Sequence, residues 1–306
     1  MTTFTSAHTV EEALRAMHDG ARPIAGGSDL VVGARQGKAP LPDLMVGIDR
    51  LRELADIAEG ADGSLRIGAL VRHATIEADP VVTARFCALA DGSALVGSPS
   101  TRNVGTLGGN VMNGSPAMDT GAPLVVLGAE VELRSTADAR RIPVEALWVG
   151  PGKTAADAGE LCVALHLPPP EAGSGSAYVR LEYRRAMEIA VVGAAAQVVL
   201  AGDGTVASCR IALAAVAPTI IRAEAAERAI AGSLPAPQAL AAVAEAAGAA
   251  ARPIDDLRGS ADYRRHTVGV VARRAVEAAA RRARGETVPV PANRARGIGL
   301  PYGGAA

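Results

Sequence analysis

Apolar residues recur at helical spacing from Val10 to Met17 and at every second position from Leu65 to Ala69. This switching of period divides the chain into short helices and strands. Thr9-Val10-Glu11-Glu12 has the spacing of a capping box, so a short amphipathic helix carrying Ala13, Leu14 and Met17 starts there and ends near Gly20. Residues 22–25, 44–48, 65–69 and 130–134 read as strands. Helical patterns cover 81–95 and 119–127, with a loop at 97–101 between them. Leu161-Cys162-Val163-Ala164-Leu165 is a further strand inside a segment, 151–176, that is otherwise rich in Gly and Pro.

Within that segment Pro168-Pro169-Pro170 and Gly173-Ser174-Gly175-Ser176 mark the best boundary, between a domain over 1–175 and a second over 176–288. The first divides into subdomains at about 1–55 and 56–175. In the second, apolar runs at 191–200 and 206–216 meet at Asp203-Gly204, a strong hairpin signal. From 222 to 284 the pattern is Ala-rich helix, broken at Gly232-Ser233-Leu234-Pro235 and Arg252-Pro253. A Gly- and Pro-rich tail, 289–306, is expected to wrap a surface or fray. No internal repeat is visible.

Composition removes several classes of function. A formal net charge of −1 gives no reason to expect nucleic acid as a partner. Arg273, Arg274, Arg281, Arg282 and Arg284 are a local exception, read as a solvated or subunit-facing helix side. The three cysteines are far apart and the five histidines are dispersed, so neither metal binding nor an iron–sulfur cluster on this chain is expected. There is no secretory pattern, and the most apolar stretch is too short to span a bilayer, so the expected compartment is the cytoplasm.

Two glycine motifs carry the chemistry: Ala25-Gly26-Gly27-Ser28-Asp29-Leu30, and Thr106-Leu107-Gly108-Gly109-Asn110. Each is expected to be a turn beside a strand. Paired glycines let successive N–H groups point into one concavity suited to anionic oxygen. Two such concavities suit the phosphates of a dinucleotide, and neither motif has the Lys of a phosphate-cleaving loop. A third match, Gly202-Asp203-Gly204-Thr205-Val206-Ala207, fits the dinucleotide fingerprint formally. It leads into a strand-like run and not a helix, and reads as a hairpin turn.

With their surroundings, the two motifs resemble the FAD-binding subunit of the molybdenum hydroxylases: carbon monoxide dehydrogenase, xanthine dehydrogenase, aldehyde oxidase and bacterial aza-arene hydroxylases. The resemblance takes in Pro23 to Leu30, Arg102 to Asn110 with Ser115-Pro116-Ala117-Met118-Asp119, Arg184 to Val192, and Pro253 to Arg264. It implies an α+β chain, with a two-subdomain FAD-binding domain of the vanillyl-alcohol-oxidase (PCMH) type. A smaller three-stranded α+β C-terminal domain of the CO dehydrogenase flavoprotein type follows. It also implies that residues 25–30 and 106–110 wrap the diphosphate of FAD. By the same resemblance Asp119 contacts sugar-like hydroxyls, Leu161 or Cys162 lies on the adenine side, and Arg180 lies near the flavin. For Asp119 the alternative is a helix N-cap, for Cys162 core packing, and for Arg180 a surface position. Ser28 stands where some flavoproteins of this fold class carry a covalently flavinylated His, so non-covalent FAD is expected.

The implied function is electron transfer with no catalytic side chain and no metal on this chain. Electrons would pass from [2Fe–2S] clusters on a small partner through FAD to NAD⁺, a quinone or O₂. A large partner would hold molybdopterin, in a dimer of heterotrimers. A stand-alone FAD oxidase or dehydrogenase, or a non-catalytic binding module, are the alternatives.

Overall fold

The computed structural model describes residues 2–293, and the predicted tail beyond Asn293 lies outside them. The chain divides into two compact units, each assembled from separated stretches. One takes residues through Thr75, Pro99–Ser115 and Gly128–Pro169; the other takes Ile76–Ser98, Pro116–Leu127 and the chain from Pro170.

The first unit holds two sheets of three or more strands, besides a two-stranded pairing of Trp148–Gly150 with Lys153–Thr154. Strands Thr3–Ser6, Leu44–Gly47 and Arg22–Ile24 pair in parallel, in that spatial order. Helix Val10–His18 follows the first of them, with Thr9 accepting from Glu12 N as the capping spacing requires. Its Val10, Ala13, Leu14 and Met17 pack with Val46, Leu51, Leu70, Leu161 and Val163 in one apolar cluster. The second sheet is antiparallel, in the order Ile57–Glu59, Leu65–Gly68, Leu161–Leu167, Glu130–Arg134, Ala139–Pro143. The central strand Leu161–Leu167 is buried along nearly its whole length, which explains its unbroken apolar run.

The second unit is built on an antiparallel sheet of Ser174–Leu181, Val192–Leu200, Val206–Ala214 and Ile221–Arg222. The expected three strands are joined by this last two-residue strand at the edge. The hairpin closes where Asp203-Gly204 predicted it: Asp203 Oδ1 accepts from Thr205 N and Oγ1 while Gly204 takes φ +82°. The fingerprint-like match at 202–207 is therefore a turn between strands. Alternate residues of the sheet, including Ala177, Val179, Ala194, Ala196, Ile211 and Leu213, face helices Glu224–Ile230, Pro237–Ala250 and Ala261–Ala283. Helices Cys87–Leu95 and Gly121–Val126 pack on the same sheet, so it is buried on both faces. The expected 81–95 helix is two, Pro80–Arg85 and Cys87–Leu95, parted where Phe86 leaves helical geometry at φ −122°, ψ 41°. The expected loop at 97–101 contains a helical turn, Pro99–Arg102.

Arg282 corrects the solvated-face reading of the basic helix. Its guanidinium donates to both oxygens of Asp91, at 2.6 and 3.0 Å, and the Asp91 side chain has no exposure. Asp91 also accepts from Tyr178 N and Ala292 N, both at 2.9 Å. One carboxylate thus joins a helix, a strand, the long helix and the segment that follows it. No helix among the described residues is long and apolar enough to cross a membrane.

Candidate functional site

Strand Arg22–Ile24 delivers the chain into Ala25-Gly26-Gly27-Ser28, after which helix Leu30–Arg35 begins. Gly27 takes φ +67°, the left-handed geometry expected of the turn. A Cβ at Gly26 would sit 1.8 Å from the carbonyl oxygen of Val104, so this turn lies directly against the chain entering the second motif. Ser28 Oγ is 3.6 Å from the Cβ position of Gly105. Among the described residues, the N–H groups of Gly26, Gly27, Ser28 and Asp29 have no hydrogen-bond partner. Such donors require a partner, from water or from a ligand. Asp29 precedes the helix without a side-chain cap bond.

The second motif differs from expectation. Thr106 caps a helix, Leu107–Asn113, by accepting from Gly109 N at 3.1 Å, so Gly108 and Gly109 occupy its first turn and do not form an open nest. Leu107 N donates to Val71 O, Gly108 N to Ala69 O and Asn110 N to Thr106 O. The backbone donors of 107–110 are therefore committed internally. Gly108 is a packing glycine, since its Cβ would meet Ala69 at 2.6 Å. The two motifs do converge, but the first offers its main chain and the second offers side chains. Thr106 accepts from Gly109 and keeps its own hydroxyl hydrogen to donate.

His73, absent from the sequence reading, belongs to the same convergence. Its N donates to Gly105 O at 3.2 Å, and its ring Cδ2 is 3.4 Å from the Cβ position of Gly105. The side chain is buried and its Nδ1 has no partner among the described residues. Desolvation, aided by the nearby Arg102 charge, lowers its pKa from 6.5 to about 4, so the imidazole is neutral.

Leu161 and Cys162 open the central strand of the antiparallel sheet in this unit, and both are buried. Leu161 packs into the cluster with Val10 and Leu14. Burial pushes the Cys162 thiol up to about 12, with Glu132 adding to the effect. This thiol is inert at neutral pH.

In the second unit Asp119 and Arg180 form one buried cluster. The N-cap of helix Gly121–Val126 is Thr120, so the capping alternative for Asp119 does not hold. Asp119 Oδ2 instead accepts from Arg180 Nη1 at 2.5 Å and Oδ1 from Tyr178 OH at 2.9 Å. Arg180 is not a surface residue: its exposure is 0 %. Its Nε donates to Glu182 Oε2 at 2.7 Å. Desolvation raises the Asp119 pKa from 3.8 to about 6, against the opposing pull of Arg180 and Tyr178. Neither Tyr178 nor Glu182 was assigned to the cofactor site from the sequence. Their signal was present in Tyr178-Val179-Arg180-Leu181-Glu182, polar groups at every second position along an otherwise apolar run.

Residues 1–170 match the family described as the FAD binding domain in molybdopterin dehydrogenase. Residues 177–279 match the CO dehydrogenase flavoprotein C-terminal domain. The chain is 30% identical over 289 residues to the xanthine dehydrogenase FAD-binding subunit of Escherichia coli O157:H7, covering 92% of this chain and 98% of that one. It is 34% identical over 260 residues to the carbon monoxide dehydrogenase medium chain of Hydrogenophaga pseudoflava, covering 85% and 89%. A solved structure of carbon monoxide dehydrogenase from Hydrogenophaga pseudoflava contains a chain that superposes with TM-score 0.86 at 33% identity, covering 91% of this chain and 96% of that one. From the residues and these likenesses together, the chain belongs to the family of FAD-binding medium subunits of the molybdenum hydroxylases, the oxidoreductases that include CO dehydrogenase and xanthine dehydrogenase.

Proposed function

We propose that this chain holds FAD without a covalent bond and is the electron-transfer subunit of a cytoplasmic molybdopterin-dependent dehydrogenase. A small partner would supply [2Fe–2S] clusters and a large partner the molybdopterin, assembled as a dimer of heterotrimers. When bound, FAD supplies reversible two-electron chemistry that can also proceed one electron at a time, toward NAD⁺, a quinone or O₂. The observation that carries this reading is the Gly26–Asp29 turn, whose N–H groups lack partners among the described residues and whose Gly26 has no space for a side chain.

The residues fit such a group. Backbone N–H donors suit a diphosphate, and neither motif carries the Lys of a phosphate-cleaving loop. Ser28 and Thr106 add hydroxyl donors, Asn110 an amide, and Asp29 and Leu30 carry the turn into its helix. Asp119 accepts cofactor hydroxyls, and Leu161 and Cys162 present an inert apolar edge toward adenine. No side chain is needed as a general acid or base, because the chain's part is to bind and orient.

Purified protein should be yellow, and acid precipitation should release the colour into the supernatant, since Ser28 cannot form the link that a His makes. A colourless protein that takes up no added FAD would overturn the assignment. A yellow pellet would overturn only the non-covalent part. Co-purification with a large and a small partner distinguishes the electron-transfer subunit from a stand-alone flavin oxidase.

A further inference from the structure

Tyr178 and Arg180 are two residues apart on strand Ser174–Leu181, so their side chains leave the same face of the sheet. Both are fixed at the backbone. Tyr178 N donates to the buried Asp91 carboxylate at 2.9 Å. Arg180 N donates to Asn293 Oδ1 and Arg180 O accepts from Asn293 Nδ2, each at 3.1 Å, so the side-chain amide takes the place of a neighbouring strand. A Cβ at Gly193 would lie 2.4 Å from the Tyr178 hydroxyl; the glycine leaves the hydroxyl its seat.

The guanidinium is committed to the same cluster. Nη1 donates to Asp119 at 2.5 Å and to Glu188 O at 3.4 Å, and Nε donates to Glu182. Nη2 lies 2.6 Å from Glu182 Oε2, outside hydrogen-bond alignment. The Arg180 and Tyr178 side chains are both fully buried. Asp119 spends one lone pair of Oδ1 on Tyr178 and one of Oδ2 on Arg180. An ionised carboxylate has roughly four acceptor sites, so about two remain.

We propose that Tyr178 and Arg180 are positioning residues, which aim the Asp119 carboxylate so that its remaining lone pairs accept hydroxyls of the flavin cofactor. Arg180 acts on the cofactor through Asp119, to which its guanidinium donates. The inference rests on the cofactor role given to Asp119 above. It makes retention of FAD depend on pH, because a protonated Asp119 loses acceptor capacity. The groups that face this carboxyl are Tyr178 and Arg180 from the strand and Glu182 just beyond it. Helix Cys87–Leu95 meets Asp119 with Gly92, which carries no charge, while the neighbouring Asp91 is paired with Arg282.

The test is titration of flavin-free protein with FAD, followed by flavin fluorescence from pH 5 to 8.5. Wild type should bind tightly at pH 8 and weaken as pH falls through about 6. Tyr178→Phe keeps the ring and removes the donor to the carboxylate. It should move the midpoint upward by about half to one pH unit, with affinity at pH 8 within about twofold of wild type. Asp119→Asn should bind about tenfold or more weakly, without the midpoint. Arg180→Lys, which keeps a cation in place of the fork, should recover part of the affinity lost in Arg180→Met.

If Tyr178→Phe keeps the wild-type midpoint, or weakens binding equally at every pH, while Asp119→Asn is impaired, the positioning proposal is overturned and the role of Asp119 stands. If Asp119→Asn binds with wild-type affinity and pH dependence, the cofactor role of Asp119 itself is wrong.

Discussion

The carbonyl oxygen of Val104 occupies the space in which a side chain at Gly26 would begin, with 1.8 Å between it and the Cβ position. The obstacle is backbone, so no rotamer relieves it. Gly26→Ala should cost about 2–3 kcal/mol in the unit that contains it and separate the two glycine motifs. FAD retention should fall more steeply than stability. Gly33 is the control: it lies inside helix Leu30–Arg35 and nothing lies within 4 Å of its Cβ position. Gly33→Ala should leave the denaturation midpoint unchanged or raise it by an equivalent of about 0.5–1 kcal/mol. Equal behaviour of the two variants would contradict the close approach.

His73 makes stability fall on the acid side. Its folded pKa, about 4, lies below the ordinary 6.5, so between those values the unfolded chain binds more protons than the folded one. Its contribution is whole above pH 6.5 and is lost as pH falls toward 4. The magnitude is on the order of 3 kcal/mol. An NMR titration should find this imidazole still neutral at pH 5. His73→Leu should flatten the acid-side loss relative to wild type. A midpoint near 6.5 for this ring would disprove the buried, neutral assignment.

Asp119 acts in the opposite direction. Its folded pKa of about 6 exceeds the ordinary 3.8, so the folded protein holds the proton more tightly. The ionised carboxyl therefore costs stability above pH 6, and that cost is relieved as pH falls from 6 to 4. The unfolding free energy of flavin-free wild type, minus that of Asp119→Asn, should rise by about 2–3 kcal/mol between pH 7.5 and 4. A difference that falls over this range would mean that Arg180 outweighs desolvation.

Asp91 and Arg282 should behave as a coupled buried pair. Asp91→Ala leaves the guanidinium without its carboxylate and the N–H groups of Tyr178 and Ala292 without acceptors. The expected cost is about 3–5 kcal/mol. Limited proteolysis should then cut near residues 285–292, which Asp91 and Arg282 hold in wild type. Asp91→Leu combined with Arg282→Met should recover much of the loss. Additive losses in a double-mutant cycle would show that the pair is not coupled.

The local elements were largely legible because their signals lie within a few residues of one another. The Thr9 cap, the alternation at Leu65–Gly68 and the Asp203-Gly204 turn all formed where sequence placed them. The second glycine motif was misjudged because Thr106, Leu107 and Val111 suit a helix as well as a turn. The decision came from Ala69 and Val71, whose carbonyls receive the Gly108 and Leu107 N–H groups from far away in sequence.

By itself the sequence determined the periodicities, the turns and the identity of the glycine motifs, because backbone geometry and hydrophobic pattern act over short range. Which donors stay uncommitted was decided only by tertiary structure. Gly26 and Val104 meet through packing, and among the described residues the amides of Gly26–Asp29 lack protein partners where those of 107–110 do not. Likewise, Asp119 and Arg180 are unremarkable as separate charges in a sequence. Folding removes the water between them, and only then does each fix the other's position and protonation.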